Sequence, residues 1–281
     1  MKSNDDRDFF NNIAEATNSQ KAIQPKDLKA NAPEMIQLQR ILYDEGIFME
    51  IKRGITAPRS HSNSKIKNEE FAQLFYSFVN QRPGTARSSK KSLFSNNSHY
   101  KSIFKLNYSN DQVKVEFIKD LINLNQRVNY IIQNIKEHNS VGLSTEEMTI
   151  LVNGKYSLIA IMGVIYRIVN NDPGAKSIED LHGDDFKFGT FISNYENDDI
   201  DDKLKDLIVE FVEILATSYE REFSFGNVTS PSNFFKTDKK YLEKIADKVI
   251  KDQRVSRKHN ELISAYGPLF KRVSSRDIDK K

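Results

Sequence analysis

With 281 residues, 38% of them hydrophobic, and a net charge of +3, the chain is long enough to bury at least one core and too weakly charged overall to indicate a nucleic-acid partner. It contains no cysteine, which excludes disulfide frameworks and thiolate metal sites and fits a reducing compartment. Because its first residues lack an apolar signal-peptide core and its longest apolar run, residues 158–169, is too short to span a bilayer, we expect a cytoplasmic protein with no membrane partner.

The first part of the chain predicts helices around one short strand. A helix is expected from an N-cap at Asn31 to Gly46, with one apolar face. Residues 47–52 then predict a strand. A second helix is expected from Asn68 to the Arg-Pro-Gly sequence at residues 82–84, because its apolar residues recur at helical spacing.

The segment from residue 82 to residue 101 is polar and basic, and it predicts a loop region. Further along, apolar periodicity and a Ser-x-x-Glu capping box predict helices at residues 113–137, 145–152, 155–170, 200–219 and 242–249. The sequence therefore predicts a mainly α fold, a helical bundle with a small β element near the N-terminus. We expect two parts, residues 1–106 and 107–281.

The most distinctive pattern in the chain is ATNSQKAIQPKDLKANAPEMIQLQRILYDEGIFMEIKRG, residues 16–54, which includes Asn18 and Gln20. Together with RPGTARSSKKSLF at residues 82–94 and Asn-Phe-Phe-Lys at 233–236, it resembles the abortive-infection phage resistance (AIPR) family of bacteria. The resemblance implies a role in antiphage defence. It also implies that the chain is the C-terminal portion of the family's pattern, with an N-terminal half that is missing or carried by a companion chain.

Glu50 and Lys52 form the first candidate for a catalytic site. In nucleases of the PD-(D/E)xK type, a strand presents Glu-x-Lys beside another acid, and the two carboxylates hold Mg²⁺ while the lysine stabilises the attacking water. Alternation along a strand puts Glu50 and Lys52 on one side, and the sequence offers Asp44 or Asp27 as the second acid. The alternative is a half-buried strand whose apolar residues face inward while its charges face solvent.

A second candidate is a block of charge. From Lys52 to Lys105, eleven basic residues are opposed by two acidic ones, an excess of nine positive charges. Phosphate contacts with nucleic acid are expected from seven of them: Arg53, Arg59, Lys65, Arg82, Arg87, Lys90 and Lys91. The block could instead meet an acidic protein partner, such as a companion chain or a phage component.

Two further patterns suggest a chemical role for their side chains. Arg254 and His259 have the Arg-x4-His spacing of HEPN ribonucleases, in which the two side chains act on the 2′-OH and the phosphate of RNA. The amides of Asn18 and Gln20 can hydrogen-bond a base or cap a turn. The hypotheses are therefore a nucleic-acid-directed effector with a Mg²⁺-dependent nuclease site at Glu50, a non-catalytic sensor or scaffold, and a ribonuclease.

Overall fold

The computed structural model describes residues 23–52, 54–61, 64–172, 177–191, 199–255 and 263–273. In these ranges the protein is mainly α-helical with one two-stranded sheet, as the sequence predicts. The first part contains α1 (Pro25–Lys29), α2 (Pro33–Asp44), β1 (Phe48–Glu50), β2 (Lys65–Lys67), α3 (Asn68–Phe78), α4 (Pro83–Ser88), α5 (Ser92–Ser95) and α6 (Asn97–Phe104). The second part contains α7 (Gln112–His138), α8 (Thr145–Val169), α9 (Asp199–Ser224), α10 (Pro231–Phe234), α11 (Asp238–Tyr241) and α12 (Asp247–Val255).

Helix α2 ends as predicted but begins differently. Gly46, with a φ of +82°, adopts the left-handed conformation just after the helix, where glycine is favoured. The N-cap is Ala32 and the first helical residue is a proline, which needs no N–H partner there, so the predicted Asn31 cap is wrong. Side-chain capping occurs instead in α1, where the Asp27 carboxylate accepts a hydrogen bond from the backbone N–H of Gln24 at 2.9 Å.

Helix α3 is buried on all sides, although its sequence predicts a single apolar face. Even its polar residues Gln73 and Ser77 are buried. The Gln73 amide donates to the carbonyl of Ala86 at 2.7 Å, and the Ser77 hydroxyl donates to the carbonyl of Gln73 at 2.7 Å. These bonds satisfy the polar groups that burial removes from water, so α3 lies at the centre of the fold.

The segment from residue 82 to residue 101 is not the predicted loop region. It contains α4, α5 and most of α6, three short helices; α4 and α6 pack on α3, and α5 packs on α6. Their few apolar residues are the buried ones, and they include Phe94, Tyr100 and Phe104. Burial of these side chains orders a segment whose overall composition is typical of a loop, because tertiary packing outweighs local propensity.

Helix α8 is continuous from Thr145 to Val169, whereas the sequence predicts a break at residues 153–154. Its capping box forms as predicted, with the Glu147 N–H bonded to the Ser144 hydroxyl at 3.2 Å. Gly154 does not end a helix here. A Cβ at this glycine would lie 3.0–3.1 Å from atoms of Leu215 and Phe235, so the residue allows close packing instead.

Helix α8 is also long and apolar enough to cross a membrane by length and composition. Two-thirds of its most apolar window, 67%, is buried inside the protein. Central helices of globular proteins are buried in the same way.

The buried apolar side chains form one cluster that extends from Met35 to Phe270. At its centre, the rings of Phe78, Phe117 and Tyr166 lie with centroids 5.8–5.9 Å apart, which joins α3, α7 and α8. The domain boundary that the sequence predicts, at residues 106–107, lies between α6 and α7. Residues from both sides of that boundary contribute to the same core.

Gly163 provides a test of the contact between α3 and α8. A Cβ at this position would lie 2.3 Å from the carbonyl oxygen of Phe78 and 2.7 Å from the Gln81 amide nitrogen. We expect Gly163→Ala to lower the free energy of unfolding by about 1–3 kcal/mol, since the helices must separate to admit the methyl group. Urea denaturation followed by circular dichroism measures the change.

Val152→Ala is the matched control, since Val152 lies on the same helix and is 47% exposed. It should change stability by no more than about 0.5 kcal/mol. A wild-type midpoint for Gly163→Ala would contradict the close approach of the two helices.

Candidate functional site

The two-stranded sheet presents one apolar side and one charged side. Strands β1 and β2 are parallel, with Met49 opposite Ile66 and Glu50 opposite Lys67. Met49 and Ile66 are buried against the core, and alternation puts Lys65, Glu50 and Lys67 on the other side. Phe48 lies on this second side as well and is also buried, so the charges face outward beside one buried ring, as on a half-buried strand.

Three lysines lie at positions near Glu50, and we call this charged side the lysine face: Lys65 and Lys67 on β2, and Lys52 just past the end of β1. All three are exposed, and Glu50 is half-buried. Within the described residues, none of the four side chains makes a hydrogen bond or an ion pair. The backbone beneath them is fixed, since the Gln39 amide donates to the Met49 carbonyl at 2.9 Å. The lysine face is therefore a set of unpaired ammonium groups on an ordered support.

The two acids that the sequence offers as partners of Glu50 both lie on helices. Asp27 caps α1, and Asp44 is exposed at the last residue of α2. No group of three or more His, Asp or Glu side chains that could hold a metal ion occurs among the described residues. A two-carboxylate Mg²⁺ site at Glu50 stays a prediction.

Two arginines expected to contact phosphate make internal contacts instead. Arg82 donates from Nη1 to the carbonyl of Leu181 at 3.1 Å. Arg87 donates from Nη2 to Asn153 Oδ1 at 2.6 Å and to Ser232 Oγ at 3.1 Å, and burial lowers the pKa of its guanidinium. Arg82 thus connects the start of α4 to the segment after α8, and Arg87 connects α4 to α8 and α10.

The other basic candidates differ in their surroundings. The ammonium group of Lys90 lies 2.9 Å from the Glu69 carboxylate, which also pairs with Lys26 at 2.9 Å. Lys91 is exposed, with no side-chain partner among the described residues. Arg59 is exposed in a 3-10 turn that ends at residue 61.

Several predicted positions fall outside the described residues: Asn18, Gln20, Arg53 and His259. Arg254 lies near the end of α12, where only its backbone is described. The structure therefore brings Glu50, Lys52 and Lys65 together on one face, places Arg82, Arg87 and Lys90 in internal contacts, and leaves the Arg254–His259 pair as a prediction.

A junction between residues 82–88 and residues 232–238 is the contact that sequence reasoning missed. A Cβ at Gly84 would lie 2.5 Å from the backbone nitrogen of Asp238, so only glycine fits there. The Asp238 carboxylate accepts from the Thr85 N–H at 3.1 Å and from the Thr85 hydroxyl at 2.6 Å, and the Ser88 hydroxyl donates to the Lys236 carbonyl at 3.0 Å. The sequence carried no local signal for this contact, because Gly84 belongs to a Pro-Gly pair that is typical of a turn.

A buried arginine holds the end of α3 against a later segment. Arg167 is fully buried in α8, and its Nη2 donates to the carbonyl of Val79 at 2.9 Å and to the carbonyl of His182. Its guanidinium carbon lies 4.9 Å from the centroid of the Phe186 ring. Burial lowers the pKa of Arg167 to about 10, so it remains charged at neutral pH.

Removing the Asp238 carboxylate tests the junction. Asp238→Ala leaves the Thr85 N–H and hydroxyl without their partner, and we expect a loss of about 1–3 kcal/mol in the free energy of unfolding. Asp247→Ala is the control, because Asp247 pairs with the exposed Lys251 at 2.7 Å, and such surface pairs contribute about 0–1 kcal/mol. Equal urea midpoints for the two variants would contradict the assigned role of Asp238.

Comparison with known proteins identifies one family. A family model described as AIPR protein matches residues 1–266. No curated protein and no solved structure matches the chain significantly.

Proposed function

The chain belongs to the AIPR family and is an antiphage, abortive-infection protein, and we propose that it acts by binding nucleic acid through the lysine face. One observation carries the proposal: Lys52, Lys65 and Lys67 are exposed together and have no partner within the described residues. Ammonium groups that are already paired gain little from a new anion. Unpaired ones release counterions from a phosphate backbone, which drives binding.

The lysine face supplies charge without a means of reading bases. Lysine contacts phosphate as a point charge, and no bidentate arginine lies among the described residues of the sheet. Binding should therefore be largely independent of sequence and strongly dependent on salt. The internal contacts of Arg82 and Arg87 support this location, because two of the basic candidates outside the sheet are already bonded within the protein.

Charge reversal on β2 tests the proposal. We expect Lys65→Glu/Lys67→Glu to weaken oligonucleotide binding at least tenfold at low salt. The slope of log K against log salt should fall by about 2, since two phosphate contacts are lost. Fluorescence anisotropy with a labelled oligonucleotide over a salt series measures both quantities.

The matched control is Lys136→Glu/Lys239→Glu, which changes the net charge equally at exposed positions of α7 and α11. It should retain nearly all of the affinity. An equal loss in both double variants would show a general effect of net charge and would contradict a localised site.

Glu50 is the reason to test cleavage at the same face. It is the acidic side chain among the described residues of the sheet. Lys52 follows it two residues later, and Lys67 lies opposite it on β2. A two-carboxylate Mg²⁺ site would require a further acid from outside the described residues, for example from a companion chain. We propose metal-dependent cleavage as the second candidate function on this basis.

Glu50→Gln separates binding from cleavage. If the face only binds, removing this negative charge should tighten oligonucleotide binding about two- to fivefold, since the carboxylate repels phosphate. If Glu50 is a metal ligand, Mg²⁺-dependent cleavage should fall at least about 100-fold. Anisotropy and a gel-based cleavage assay with and without Mg²⁺ measure the two effects, and Glu137→Gln on α7 is the control.

The sensor or scaffold hypothesis uses the same surface differently. An acidic patch on a companion chain or on a phage component would also be attracted to the lysine face. Protein binding that depends on Lys65 and Lys67, together with no oligonucleotide binding at low salt, would favour that hypothesis over nucleic acid.

A further inference from the structure

Two aromatic rings stack near the start of β2. Tyr43, the penultimate residue of α2, lies against His61, with ring centroids 4.1 Å apart and planes inclined by 15°. Tyr43 is 42% exposed, a large fraction for an aromatic side chain packed on another ring. One face of the tyrosine is therefore covered by histidine while much of the residue remains open to solvent.

The histidine ring is fixed on both of its nitrogens. Nε2 donates to the carbonyl oxygen of Tyr43 at 3.0 Å, and Nδ1 lies 2.8 Å from the hydroxyl oxygen of Ser60. The pair is thus ordered before any ligand arrives. A ligand that stacked on Tyr43 would lose little side-chain entropy on the protein side.

Backbone hydrogen bonds connect the stacked pair to the sheet. The Ser64 N–H donates to the carbonyl of His61 at 3.3 Å, and the Phe48 N–H donates to the carbonyl of Ser64 at 2.8 Å. Lys65 follows directly, so the Cα atoms of His61 and Lys65 are at most about 14 Å apart. The stacked pair is therefore held close to the start of the strand that carries Lys65 and Lys67.

We propose that Tyr43 is a stacking platform for an unpaired base, and that the lysine face consequently takes single-stranded nucleic acid in preference to a duplex. The inference rests on the proposed function and specifies its ligand. In a duplex the bases are already stacked on one another, whereas a single strand can place a base on an exposed ring while neighbouring phosphates meet lysines. An ordered aromatic ring beside unpaired ammonium groups is the combination that such binding requires.

The absence of tryptophan in the chain permits a direct test. Tyr43→Trp introduces the sole tryptophan, whose fluorescence should be quenched when a single-stranded oligonucleotide binds and should change little with a duplex of equal length. DNA and RNA strands are tested in parallel to identify the sugar that is preferred. The control is Phe225→Trp, just after α9, where the phenylalanine is 69% exposed; its fluorescence should not respond.

A second measurement does not depend on the probe. Tyr43→Ala should lower single-strand affinity about tenfold and leave duplex affinity unchanged, whereas Tyr43→Phe, which keeps the ring, should bind like the wild type. Salt-sensitive binding that needs Lys65 and Lys67 but shows neither quenching nor a loss in Tyr43→Ala would overturn the stacking role while the proposed function stands. No binding of any oligonucleotide at low salt would overturn both.

Discussion

The fold depends on the close approach of α3 to α8. At Gly163 the backbone of one helix nearly touches the carbonyl end of the other, and this proximity lets side chains reach carbonyls that a helix end leaves unsatisfied. The Gln81 amide donates to Phe78 and, across the interface, to Ala160, while Arg167 donates to Val79. Once these two buried helices are paired, the remaining elements pack around them.

The contacts within the fold reduce the number of basic residues between 52 and 105 that are available to a ligand. Charge counted along a sequence is not charge presented to a ligand, because arginines are well suited to binding carbonyls inside a protein. Arg82 and Arg87 are used in that way, and Lys90 and Lys105 are paired with carboxylates. What reaches the surface unpaired is a smaller set, and the sheet brings three of its members together.

The sequence predicted those features whose cause is local. The apolar periodicity of α7, the capping box at Ser144 and the helix end at Gly46 need only near neighbours, and all three predictions are confirmed. The helices between residues 82 and 101 and the continuity of α8 through Gly154 depend on distant partners, and both were mispredicted. The surroundings of Glu50 belong to the second kind, since a Glu-x-Lys tripeptide cannot specify which side chains converge on it.

The smallness of the sheet has a consequence for association between copies of the chain. Each of its two strands has three residues and, among the described residues, one edge whose N–H and C=O groups no other strand covers. Such an edge can template another strand, and natural proteins oppose this by placing lysine on edge strands. Lys65 and Lys67 occupy β2. The same ammonium groups that we propose to bind phosphate thus repel a second copy of the sheet, and a bound polyanion would remove that repulsion.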